Sequence, residues 1–185
     1  MMGSTDCADL EDFLFIAYGN PLRRDDGAGL ALAEHFADAW RRLGASVHHI
    51  STQQLTPELA ADIAESGAAH VLFFDTAANC EQEIQLRRLD AVQAGITLGH
   101  QFSPALLLVM ARELYGAAVA GWLVTVPGVD FGHGAGFSPQ VQRLIVKAEI
   151  MAQKFLAYVA DPSPDGQCPP HHAPSVKYIH RGMFD

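Results

Sequence analysis

Apolar and polar positions along this chain fall into blocks that predict strands and helices in alternation. Phe13–Tyr18 is a short, continuous apolar run, the pattern of a strand buried on both faces. Gly27–Leu43 predicts an amphipathic helix. Leu30, Ala33, Phe36, Ala37 and Trp40 fall on one stripe, with Glu34, Asp38, Arg41 and Arg42 opposite, and Gly44 supplies the stop. Ala45–Ile50 predicts a second strand. Thr56-Pro57, Ser103-Pro104 and Ser138-Pro139 each put a hydroxyl at an N-cap and a proline at the first helical position. They predict helices over Pro57–Glu65, Pro104–Tyr115 and Pro139–Tyr158. Ala69–Phe74 and Trp122–Val126 are further apolar runs, and the imperfect alternation of Glu83–Leu89 suits an edge strand.

Strands alternating with helices in this order predict an α/β fold, a mostly parallel, twisted sheet of about five strands sandwiched between helices. No internal repeat or linker divides the chain. The expected organisation is an N-terminal extension over 1–12, one domain over 13–160 and a tail over 161–185 rich in proline and histidine.

With 185 residues, 49% of them hydrophobic and 18% charged, the chain has the composition of a globular protein with a substantial core. The net charge of −9 argues against a general nucleic-acid binder and against docking on anionic membranes. The three cysteines, Cys7, Cys80 and Cys168, have no CxxC spacing, so neither a disulfide framework nor a thiolate zinc site is indicated. The acidic start MMGSTDCADLED does not read as a signal peptide, and no apolar stretch reaches the ~18–20 residues of a membrane span. A cytoplasmic setting is the expectation.

In open α/β sheets, ligands gather outside the carboxyl ends of the strands. The first predicted strand delivers Asn20, Asp25 and Asp26 there, and the third delivers Asp75. The loop after the fourth delivers His100, and the last strand delivers Asp130 and His133. Two carboxylates and an imidazole from separate loops suit a divalent first-row metal with open coordination positions. Plainer readings stand beside this one. Asp25 or Asp26 alone reads equally well as the N-cap of the first helix, although both cannot cap it in the same way. Asp75 ends a very apolar strand, where a carboxylate must be exposed, hydrogen-bonded or functional. Taken singly, His100 and His133 read as loop residues, and His171 and His172 as part of a solvated tail. Cys80 has no activating base nearby in sequence. There is no GxGxxG after the first strand, no GxxxxGK[ST], no GxSxG and no HExxH, which turns the chain away from dinucleotides, P-loop chemistry and serine hydrolysis.

GNPLRRDDGAG after the first apolar strand, FFDTA after a middle strand and a histidine opening the loop before a helix resemble the [NiFe]-hydrogenase maturation endopeptidases. The likeness runs from about Phe13 to Tyr158 and includes GVDFGHGAGFSPQV before the last helix. It implies a phosphorylase/hydrolase-like α/β fold. It also implies an endopeptidase that removes the C-terminal extension of a hydrogenase large-subunit precursor after nickel insertion. Carried over by position, Asp26, Asp75 and His100 would contact the nickel that the precursor presents and would form the catalytic site; another divalent cation is the expected occupant in isolation. Asn20, Asp25, Gly27 and Gly29 would support them. Asp25 would cap the helix or hold the loop, and the glycines would admit the substrate backbone. The stretches QQLTPELA, GHQFSPALLL, ELYG and VTVPGVDFGHG are similar to the proteases serving NAD-linked bidirectional hydrogenases. Two rival functions use the same ligands: a nickel chaperone or sensor without peptidase activity, and a small-molecule metallohydrolase.

Overall fold

A computed structural model describes residues 12–78, 82–89 and 102–160. The expected extension and tail, together with Cys7, Cys80, His100, Cys168, His171 and His172, lie outside the described residues. The elements run β1 (Asp12–Tyr18), a short 3-10 turn (Arg24–Gly27), α1 (Ala28–Arg42), β2 (Ser46–Thr52), α2 (Leu59–Glu65), β3 (His70–Ala78), β4 (Gln85–Leu89), α3 (Pro104–Tyr115), β5 (Ala120–Gly128), α4 (Pro139–Val146) and α5 (Ala148–Ala160). The five strands form one sheet in the order β2-β1-β3-β5-β4. All neighbours are parallel except β4, which pairs antiparallel with β5 at the edge.

The apolar runs of β1 and β3 are explained by burial on both faces. Phe13, Phe15, Leu72 and Phe74 point to the side of α1 and α5; Leu14, Ile16, Val71 and Phe73 point to the side of α2 and α3. The first side is aromatic. Trp40 of α1 meets Phe13 and Phe15 edge-on at 4.7 and 5.0 Å, and its indole N–H donates to the Ala152 carbonyl of α5 at 2.8 Å. The second side is aliphatic, with Leu59 and Ile63 of α2 and Leu107 and Leu108 of α3. Among the described residues, helices cover both faces of the sheet, and the carboxyl ends of its strands stay open.

Three local expectations change. The helix expected over Pro139–Tyr158 is broken at Lys147, whose amide turns back to the Leu144 carbonyl at 3.0 Å. No glycine or proline marks the break. It lets Val141 of α4 and Ala148 and Ala152 of α5 all reach the core. Thr56 does not cap α2; the amides of Leu59 and Ala60 turn back to the carbonyls of Thr56 and Pro57 instead. The Thr56 side chain hydrogen-bonds the Glu58 carboxylate. Ser103 and Ser138 do cap, accepting from the amides of Leu106 at 3.2 Å and Val141 at 3.4 Å. Finally, a 3-10 turn precedes α1, and that turn separates the roles of Asp25 and Asp26.

Candidate active site at the carboxyl end of the sheet

Asn20 builds the first turn of the loop after β1. Its side-chain oxygen accepts from the Leu22 amide at 2.9 Å, and its carbonyl accepts from the Arg23 amide at 2.9 Å. Its own amide donates to Asp26 Oδ2 at 3.1 Å, and Arg23 approaches the same oxygen at 3.9 Å. Asp26 Oδ1 has no partner among the described residues, and the side chain remains 25% exposed. Gly19 precedes this turn at φ 145°, where a Cβ would collide with the Asp26 carbonyl.

Asp25 caps nothing. It is completely buried. Its Oδ1 accepts from the Ser138 amide at 2.7 Å, and its Oδ2 accepts from the amides of Val129 at 3.0 Å and Asp130 at 2.9 Å. Burial works against the charge, but these amides and the Ser138 hydroxyl outweigh it and hold the carboxyl below the usual aspartate range. The seam continues outward. The Asp25 amide donates back to the Asp130 carbonyl at 3.0 Å, Arg24 pairs with Asp130 at 2.7 Å, and the Gly134 amide donates to the Leu22 carbonyl at 2.9 Å. Asp130 is thereby part of the seam between the two loops. His133 lies exposed in the same loop, and no hydrogen bond or ion pair among the described residues joins it to Asp26 or Asp75.

The bare faces of Gly27 and Gly29 are occupied within the chain itself. A Cβ on Gly27 would stand 2.8 Å from Pro21 Cα, and one on Gly29 would stand 3.1 Å from the backbone of Phe74 and Asp75. Gly29 seats α1 against the end of β3, and Gly27 seats the helix start against the loop after β1. The Gly29 amide, a free donor of the helix start, bonds Thr76 Oγ1 at 3.0 Å. Thr76 thus satisfies a donor of the helix start for which Asp25 or Asp26 was the alternative cap. It sits one residue beyond Asp75, and only the pairing of strand to helix reveals its partner.

Asp75 stands near the carboxyl end of β3, half-buried. Its Oδ1 accepts from the Thr76 amide at 2.8 Å, and the Tyr18 hydroxyl at the end of β1 also bonds the carboxylate. Burial raises its affinity for a proton, the two hydrogen bonds oppose that, and the negative charge of Asp26 adds to the rise. The last effect places the loop after β1 near enough to the end of β3 for the charges of Asp26 and Asp75 to interact. Sequence marked Tyr18 as the end of an apolar run, standing where the family often has a glycine; the register of β1 beside β3 is the signal that places it next to Asp75.

Two half-buried carboxylates, one with an oxygen free among the described residues, are hard oxygen donors suited to a divalent cation. Among the described residues, no group of three or more His, Cys, Asp or Glu gathers closely enough to hold a metal ion. No helix among them is long and apolar enough to cross a membrane.

No protein-family model matches the sequence, and no curated protein matches it. Solved structures do match. The [NiFe] hydrogenase maturation protease HycI from Thermococcus kodakarensis KOD1 aligns over 83% of this chain and 96% of its own, at 15% identity and a TM-score of 0.59. The endopeptidase HycI from Escherichia coli aligns over 80% and 91%, at 17% identity and a TM-score of 0.55. The hydrogenase maturating endopeptidase HybD from Escherichia coli aligns over 80% and 93%, at 19% identity and a TM-score of 0.52. The five-stranded, mostly parallel sheet between helices and the motif likeness from Phe13 onward lead to one statement: this chain has the fold of the [NiFe]-hydrogenase maturation proteases.

Proposed function

We propose that the protein is a hydrogenase maturation endopeptidase that removes the C-terminal extension of a [NiFe]-hydrogenase large-subunit precursor once nickel has been inserted. The observation that supports this is that Asp26 and Asp75, from separate elements, both stand at the carboxyl end of the sheet, near enough for their charges to interact. Sequence likeness directs the choice of substrate to the NAD-linked bidirectional group, and the reaction takes place in the cytoplasm.

Nickel enters as part of the substrate. Asp26 and Asp75, with His100, which precedes α3 in the sequence, contact the nickel held by the precursor, which brings the scissile bond to the end of the sheet. Asp26 is suited to this by its free oxygen, and Asp75 by a carboxylate steadied on one side by the Thr76 amide. Hydrolysis then requires either a carboxylate that takes a proton from water or a polarised scissile carbonyl. Asp25 holds the loop that carries Asp26.

The test is a processing assay read by mass spectrometry. Wild type shortens nickel-loaded precursor, and Asp26→Ala, Asp75→Ala and His100→Ala each slow the cut by about 100-fold or more. Full cleavage by all three variants sinks the assignment, and efficient cutting of nickel-free precursor sinks the role of nickel as a tag. Tight, stoichiometric nickel binding by the isolated protein, without any cleavage, would select the chaperone or sensor instead.

A further inference from the structure

A groove runs between α4, α5 and the start of β4. Ile84, Leu144, Ile150 and Met151 form its apolar floor, and Glu83, Lys147 and Lys154 form its rim. It encloses a cavity of about 230 Å³. Lys147, Ile150, Met151 and Lys154 recur at spacings of three and four, so they lie on one stripe along α5. These are both of the lysines among the described residues, and neither is ion-paired to another described residue. In a chain of net charge −9, the groove is thus a local place where cations flank apolar side chains. Ile150 in its floor is 62% exposed.

The groove begins at the level of the candidate active site. β4 runs antiparallel to β5, so its start lies beside the carboxyl end of β5: Gln85 pairs with Thr125, and Thr125 pairs with Asp75. Two strand spacings of ~4.8 Å put the start of β4 about 10 Å from β3. We propose that the groove is a second docking site for the precursor and takes an apolar segment flanked by aspartates or glutamates. The inference rests on the endopeptidase reading above and extends the surface of that same substrate. A metal and one peptide bond bury far less than the area of a specific protein interface, so further contact is required to single out one partner. Charge complementarity defines the segment: ammonium groups on either side of an apolar floor match carboxylates on either side of apolar side chains. Met151 lets that floor adapt to shape. Nearness to the strand ends selects the precursor over a second copy of this acidic chain. The plainer account is that the lysine stems cover apolar surface while their heads stay in water.

The experiment has two arms, both on the full chain. In the first, Lys147→Glu combined with Lys154→Glu raises KM for nickel-loaded precursor about 10-fold, and the loss falls on KM rather than kcat. Added salt raises KM of the wild type and hardly alters that of the double variant. Arg112→Glu, a charge reversal in the last turn of α3, keeps the wild-type KM. In the second arm, Ile150→benzoylphenylalanine is irradiated with the precursor, and mass spectrometry locates the link in an apolar stretch flanked by acidic residues. An unchanged KM in the double variant, or an equal rise in Arg112→Glu, overturns the proposal. So does a link that forms only to residues 161–185 or to a second copy, or no link at all. A chain that links to the precursor through position 150 while the wild type leaves that precursor uncut overturns the endopeptidase reading and keeps the docking groove.

Discussion

Asp25 and Asp26 are adjacent in sequence and occupy opposite environments. Asp25 is fully buried, with both oxygens taken by three backbone amides from the loop after β5. Asp26 is a quarter exposed, keeps one oxygen free among the described residues and lies near enough to Asp75 for their charges to interact. The 3-10 turn over Arg24–Gly27 separates them, because each step in such a turn rotates the side chain by about a third of a circle. One carboxylate is directed into the seam between loops, and its neighbour is directed to the end of the sheet. A pair of like residues is therefore not evidence of a paired role. The number of backbone amides each one satisfies separates structure from presentation.

The comparison breaks most visibly at Asp25. In Asp25→Asn, one oxygen is replaced by an amide nitrogen, so at least one of the three N–H groups loses its acceptor and faces another donor. The expected loss is about 3 kcal/mol in urea unfolding, consistent with breaking charged, buried hydrogen bonds. A loss below about 1 kcal/mol would remove Asp25 from the framework of the fold.

Acid sharpens the same contrast. The Asp25 carboxyl lies below its unfolded range, so its contribution to stability is complete above about pH 4 and is lost as pH falls through its lowered folded value. Urea midpoints of wild type and Asp25→Asn, followed from neutral pH downward, should converge in that acidic window. Curves that stay parallel would mean that other carboxylates carry the acid sensitivity.

The smallest effect has the opposite sign. Burial and the charge of Asp26 raise the Asp75 carboxyl above its ordinary range. Its contribution therefore favours the fold below the unfolded value and is lost as pH rises through the folded one, leaving a charged group that costs stability at neutral pH. Asp75→Asn keeps an oxygen for Tyr18 and Thr76 and should raise the urea midpoint slightly at pH 7. A clear loss of stability would place Asp75 with Asp25 among the residues that hold the fold together.

Much of the architecture was legible because burial leaves a periodic signature. The apolar runs of β1, β3 and β5, the alternation of β4 at the edge and the Ser-Pro starts of α3 and α4 each express a local rule of geometry or capping, and each is found in place. The same rules failed at Thr56, where the hydroxyl turned to Glu58 and the helix began later. They also failed at Lys147, where the demands of core packing broke a helix without any breaking residue. Only the motif likeness divided Asp25 from Asp26, and nothing in the order of residues gave Thr76 to the start of α1 or placed Tyr18 beside Asp75.

Sequence by itself determined which segments are strands and helices, that the sheet is mostly parallel and that carboxylates gather beyond its strand ends. These depend on spacings of two to four residues, which a chain carries wherever it goes. Tertiary structure alone decided which amides hold one carboxylate in the fold and how far its neighbour is left open. Those outcomes depend on amides more than a hundred positions away and on a neighbouring strand's register, and only the folded sheet brings them within hydrogen-bonding distance.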